Sequence, residues 1–163
     1  MRFRHLAIFL LPALAALGAE AEYPAKGPDI YDTQADGQKD IAQAVHTAKA
    51  DQKHVLLQLG ANWCIWCRRL HETFQNDRTV AALLKKHYVV VYVDVNQRDG
   101  KKRNVSVNAR YGDPIQHGLP VLLVLDGDGH LLVTQETGAL EDGKDGHDPA
   151  KIAAFLRRWA RPD

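Results

Sequence analysis

The sequence predicts an α/β domain, a central mixed sheet of about four strands with helices on both faces. Three observations carry this. Apolar runs of strand length recur at Val55-Leu-Leu-Gln-Leu59, Tyr88-Val-Val-Val-Tyr-Val93 and Val121-Leu-Leu-Val-Leu125. Segments with apolar residues three and four apart lie before, between and after them, which is the period of an amphipathic helix. The 163 residues, 45% hydrophobic and 25% charged, have the composition of one ordinary domain, large enough to bury a core without covalent staples.

Taken in order, the chain opens with Met1-Arg-Phe-Arg-His5, an apolar run from Leu6 to Gly18, and Ala19-Glu20-Ala21. This basic, hydrophobic, small-x-small order is that of a secretory signal, and the run is too short for an ordinary membrane span. Residues 1–21 are therefore expected to be a signal peptide, with the mature chain periplasmic or secreted. No later stretch offers ~20 apolar residues, so no stable membrane insertion is expected after cleavage. Removing that segment takes Arg2, Arg4 and Glu20 from the 21 basic and 20 acidic side chains, leaving the two signs equal. Such a chain lacks the footprint of a partner for nucleic acid or an anionic membrane surface.

Residues 22–37 are rich in Pro, Gly, Asp and Tyr without an apolar period, and read as an extended arm lying on the domain, pinned by Tyr23 and Tyr31. Residues 38–163 form the domain. Ile41, Ala44, Val45 and Ala48 mark one face of a helix over 40–50. Val55–Leu59 stops at Gly60 as a buried strand does. Arg68 to about Lys86 is helical in composition, with a bend at Asn76-Asp77 where an Asx residue recaps the next turn. Tyr88–Val93, β-branched and aromatic throughout, is a strand. Residues 96–118 are polar and weakly periodic, and read as a loop with a short helix. Val121–Leu125, Asp126-Gly-Asp-Gly129 and Leu131-Leu-Val133 make a hairpin around a glycine-bearing turn. The Asp-x-Asp-Gly string lacks the later acidic ligands of a calcium loop. Ile152, Phe155, Leu156 and Trp159 share a face of the last helix, over 149–161, which Asp148 caps before Pro149.

The chemistry lies in Cys64-Ile-Trp-Cys67, placed where a buried strand ends and a helix begins. A helix N-terminus carries partial positive charge and unpaired amides, so a thiolate in its first turn is stabilised below the free thiol's pKa of roughly 8.5. Cys64 is thus the expected nucleophile. Cys67, one turn on, is the expected resolving thiol. A purely structural bridge over four residues would gain only about 2 kcal/mol, against nearly 5 for a hundred-residue loop. Haem attachment requires histidine after the second cysteine, where Arg68 stands. Structural zinc normally takes four Cys or His ligands, and no second cysteine pair follows. Copper(I) held by both thiolates, with His71 or His117 as a third ligand, is the alternative of a different class. Otherwise His71 reads as a packing or surface residue, and Arg68 and Arg69 as solvated.

Gln58-Leu-Gly-Ala-Asn-Trp63-Cys64-Ile-Trp-Cys67, followed downstream by Gly118-Leu119-Pro120 and the hairpin, resembles the thioredoxin superfamily, in particular its secreted bacterial thioredoxin-like members. The likeness runs from about Ile41 to Trp159 in the family's element order. It implies a thioredoxin fold with the cysteine pair at the edge of the sheet, no cofactor, and thiol–disulfide exchange on disulfide-containing exported proteins. A membrane or periplasmic redox partner would restore the pair. Reduction is the favoured direction, with oxidation or isomerisation as alternatives. The resemblance also implies that Pro120 is cis and lies beside the pair, and that the backbone of Leu119 pairs with substrate. Trp63 becomes either an aromatic flank of the active surface or a core tryptophan, and Trp66 a substrate contact. Two departures bear on mechanism. Gln58 stands where thioredoxins bury an acid that takes a proton from the second cysteine, and Ile65-Trp66 replace their Gly-Pro.

Overall fold

A computed structural model describes residues 28–162. The expected signal peptide and Tyr23 lie outside the described residues. Four strands, β1 (His54–Gly60), β2 (Tyr88–Asp94), β3 (Val121–Leu125) and β4 (Leu131–Glu136), form one sheet in the order β2-β1-β3-β4. β1 runs parallel to β2 and antiparallel to β3, and β4 closes the edge antiparallel to β3. The sheet is therefore mixed, with β1 central.

β1 is buried on both faces, and its period of two divides the core. Val55, Leu57 and Leu59 pack with Val121, Leu123 and Leu125 of β3 beneath α1 (Gly37–Ala50) and the short α4 (Val105–Arg110). Leu56, Leu122 and Val124 point the other way, against α2 (Ile65–Asn76), α3 (Arg78–His87) and α5 (Pro149–Arg158). Each fully buried leucine contributes about 1.5–3 kcal/mol. Gln58 follows Leu56 on that second face and so points at α2.

Local capping chemistry sets the helix boundaries. Asp36 accepts from the amides of Gln38 and Lys39, so α1 starts three residues before the expected start at residue 40 and the arm ends at Asp36. Asp77 accepts from Thr79 and Val80 and separates α2 from α3, the expected bend. Asp148 caps α5, which ends at Arg158, with Trp159 as its C-cap. In the hairpin the positive φ falls on Gly129 alone of the two glycines, and Asp126 Oδ1 accepts from the amides of Asp128 and His130, so that carboxylate serves the turn.

Residues 96–118 hold more structure than their composition suggests: a 3-10 turn at Arg98–Gly100, α4, and a second 3-10 turn at Pro114–His117. Two asparagines, Asn104 half-buried and Asn108 buried, organise them. Asn104 bridges the carbonyl of Asp94 (2.9 Å) to the amide of Gly37 (2.8 Å). Asn108 binds Asp113 and accepts from the amide of Ile115.

Candidate active site

The central strand β1 delivers the chain into the site: after Gly60, the loop Ala61-Asn62-Trp63 leads directly to the first helical turn of α2. The pair thus sits at the edge of the sheet, at the carboxyl end of a central strand. Cys64 is the N-cap of α2, and its Sγ accepts from the amide of Cys67 at 3.1 Å. The cysteines are joined as a disulfide with their Cα atoms 5.3 Å apart. Both are buried, Cys67 completely, while Cys64 borders a cavity of about 450 Å3 that Cys67 does not line.

That cavity is lined by Trp63, Cys64, Ile65, Trp66, Arg98, Gly118 and Leu119. Trp63 is half-buried; its indole N–H donates to Asn96 Oδ1 at 2.9 Å, and the Arg98 guanidinium stacks over its ring at 3.4 Å. Trp66 lies edge-on to His147 at 5.7 Å, with Arg69 over its face at 4.7 Å. Ile65, between the cysteines, is exposed. The Leu119–Pro120 peptide bond is cis, and Pro120 is buried where β3 begins beside β1. Trp63, Cys64, Trp66 and Leu119, 56 positions apart at the extremes, thus meet at one cavity, with Cys67 and Pro120 buried behind it.

Beneath the pair lies a network that sequence reasoning resolved only in part. Gln58 is fully buried, and its amide nitrogen donates to the carbonyl of Cys67 (3.1 Å) and to the hydroxyl oxygen of Tyr31 (2.8 Å). Tyr31 is buried against both cysteines, and burial pushes its phenol far above the ordinary range. Asn62 clamps the backbone around it, accepting from the amides of Ile30 and Tyr31 and donating to the Tyr31 carbonyl. Arg68, expected to be solvated, is 6% exposed. Its Nε donates to the carbonyl of Asn62 at 3.0 Å and its Nη1 to that of Pro28 at 2.6 Å. The reason is positional: Arg68 follows Cys67 on the inner side of α2, where the carbonyls of Asn62 and Pro28 accept from its fork. Arg69 is half-buried by Trp66 and Asp145, so it too is less solvated than expected. Asn62 and Asn96 carried no sequence signal, because a polar residue in a loop shows no period.

His71 is half-buried with its ring 5.1 Å from that of Tyr92, and burial lowers its pKa. His117 ends the second 3-10 turn, exposed. Among the described residues no three His, Cys, Asp or Glu side chains converge as a metal-binding group, so neither histidine joins the cysteines in such a cluster.

Comparison with known proteins accords with this geometry. No curated protein sequence matches significantly. Among solved structures, a disulphide isomerase from Xylella fastidiosa is 34% identical, with a TM-score of 0.68 over 79% of this chain and 95% of that one. A thioredoxin from Thermus thermophilus (21% identity, TM-score 0.52, 72% and 81% covered) shares the fold. So does the oxidised C-terminal domain of DsbD from Neisseria meningitidis (19%, TM-score 0.54, 76% and 96%). The thioredoxin-like family matches residues 36–127, a span that contains α1, the cysteine pair and β3. With a four-stranded mixed sheet between helices and Cys64-x-x-Cys67 at the carboxyl end of its central strand, the chain belongs to the thioredoxin-like family.

Proposed function

We propose that this protein is an extracytoplasmic thiol–disulfide oxidoreductase that reduces disulfides of exported proteins. The observation that carries the reading is Cys64 Sγ at the N-cap of α2, accepting the Cys67 amide at the mouth of an aromatic-lined cavity. That position favours the Cys64 thiolate through an amide and the helix terminus, and leaves it reachable. The signal-like order of residues 1–21 supports the location.

In the reduced protein, the Cys64 thiolate attacks a substrate disulfide, forming a mixed disulfide and expelling one substrate thiolate. Cys67, ionised, then attacks Cys64 Sγ; the Cys64–Cys67 bond forms and the second substrate thiolate leaves. The substrate gains two electrons and the protein loses two. The proton lost by Cys67 is balanced by the one that the departing thiolate takes from water. A membrane or periplasmic dithiol partner returns the pair to the reduced state. Trp63, Trp66 and Leu119 border the space the substrate occupies, and Leu119 offers backbone for strand-like pairing.

Insulin reduction tests this. Wild-type protein should turn over and Cys64→Ser should be inactive. Cys67→Ala should accumulate substrate as a mixed disulfide, and Cys64→Ala should trap almost none. Unchanged activity in Cys64→Ser would sink the assignment.

The 34% identity to a disulphide isomerase favours one second reading, in which a thiol of the substrate itself displaces Cys64. Reactivation of scrambled ribonuclease separates the two: isomerisation survives Cys67→Ala, whereas net reduction does not.

A further inference from the structure

Cys64 has the amide of Cys67 as a donor to its sulfur, but that amide is then spent, and among the described residues no backbone N–H donates to the sulfur of Cys67. Cys67 is also completely buried, and an apolar surrounding raises a thiol's pKa by disfavouring the thiolate. Gln58, fully buried beneath the pair, at neutral pH neither takes a proton nor carries charge. The resolving thiol therefore needs another polar partner.

Gly60 locates one. A β-carbon on Gly60 would collide with the hydroxyl oxygen of Tyr31 and lie 2.7 Å from Cys67 Sγ, so phenol and sulfur converge over the same glycine. Only a residue without a side chain lets them do so. Gln58 orients the hydroxyl. Both hydrogens of its amide nitrogen are committed, one to the carbonyl of Cys67 and one to the oxygen of Tyr31. The Tyr31 oxygen accepts there, so its own proton is directed elsewhere.

We propose that the Tyr31 hydroxyl donates a hydrogen bond to the sulfur of Cys67 when the pair is reduced, making Tyr31 the positioning residue that promotes ionisation of the resolving thiol. The inference deepens the oxidoreductase reading and rests on it for its kinetic consequence. Tyr31 acts as a donor and not as a base, since burial keeps the phenol protonated. The other ionisable groups around it are Tyr92 on β2, Asp94 at the end of β2 and Arg68 on α2. Asp94 is committed to Arg103 at 2.7 Å, and Arg68 to two carbonyls. The segment ahead of α1 becomes part of the redox site. The loop and helix that carry the cysteines hold it there through Asn62 and Arg68, so the tyrosine and the sulfur it faces are fixed by one network.

Tyr31→Phe keeps the ring and removes the hydroxyl. In a Cys64→Ala background, thiolate absorbance should show about tenfold less Cys67 thiolate at a given pH once Tyr31 is replaced. In the two-cysteine protein, single-turnover release of 5-thio-2-nitrobenzoate from a mixed disulfide on Cys64 should slow about tenfold near neutrality and recover at high pH. The first attack, by Cys64, should change less than twofold. An unshifted Cys67 titration overturns the proposal, as does equal slowing of both steps. Should Tyr31→Phe fail to fold, site-specific 3-fluorotyrosine supplies a more acidic donor in the same volume. It should increase the Cys67 thiolate fraction, and no increase overturns the proposal. The titration needs no turnover. A shifted titration in a protein without exchange activity would therefore fail the oxidoreductase reading alone, and normal exchange with an unshifted titration would fail this inference alone.

Discussion

Arg68 sends its guanidinium inward to two carbonyls separated by 34 positions, those of Asn62 and Pro28, with Asp29 3.6 Å away. A lysine could reach one of them but not both, since its three donors share a single point while arginine presents a planar fork. Truncation to alanine takes the donor from the buried carbonyl of Asn62 and the part-buried carbonyl of Pro28, and removes the packing of the stem. The expected cost of Arg68→Ala is about 2–4 kcal/mol of unfolding free energy. Arg68→Lys should recover less than half of it. Urea unfolding followed by tryptophan fluorescence measures both, and full rescue by lysine would show that charge alone, through Asp29, holds the segment. Cys64 illustrates the same economy: one side chain closes the first turn of α2 and stands at the cavity as the proposed nucleophile.

At the scale of elements, short-range chemistry determines where helices begin. Asp77 ends α2 and starts α3 because its carboxylate accepts two amides that would otherwise be orphaned, those of Thr79 and Val80 at 3.0 and 2.9 Å. Asp77→Ala should cost about 1 kcal/mol by thermal or urea unfolding, and Asp77→Asn should cost much less, since an amide oxygen caps as well. An equal loss in both would mean that charge at the helix terminus, not the cap, is what matters. This bend and the cap at Asp148 are readable in the sequence because donor and acceptor lie within three residues of each other. The start of α1 was placed three residues late, since Gly37, Gln38 and Lys39 contribute nothing to an apolar period. Residues 96–118 were least readable. Their fold depends on Asn104 reaching Gly37 and Asp94, contacts made across the molecule that no local pattern announces.

At the scale of the whole molecule, the sheet order β2-β1-β3-β4 sets β3 beside β1 and so brings Leu119-Pro120 to the cysteines. The motifs foretold this juxtaposition through family likeness, whereas periodicity alone gave only the strands. The layer beneath the cysteines is legible only in part: Tyr31 reads as a pin of the arm and Gln58 stands at a buried acid's position, but Asn62 and Arg68 are polar residues whose burial follows from contacts with that arm. His147 belongs to the same class. It is 4% exposed, packs against Trp66, and neither ring nitrogen has a hydrogen-bond partner among the described residues. Burial lowers its pKa; Asp142 opposes that shift and Arg69 adds to it. A histidine held neutral in the folded state binds its proton more readily in the unfolded one, so stability falls as pH falls. His147 should impose no pH dependence above its unfolded pKa of about 6.5, and below that an increasing loss that levels off beneath the lower folded pKa. His71, shifted the same way by burial, adds to the slope. Urea unfolding at pH 8, 6.5 and 5 should therefore give a midpoint that drops towards acid, and His147→Phe should flatten the drop. Because the ring lies edge-on to Trp66, its protonation should change the tryptophan emission of the folded wild type over the same acid range, and that of His147→Phe should not change. An unaltered acid slope in His147→Phe would assign the loss to other groups and leave His147 without a part in it.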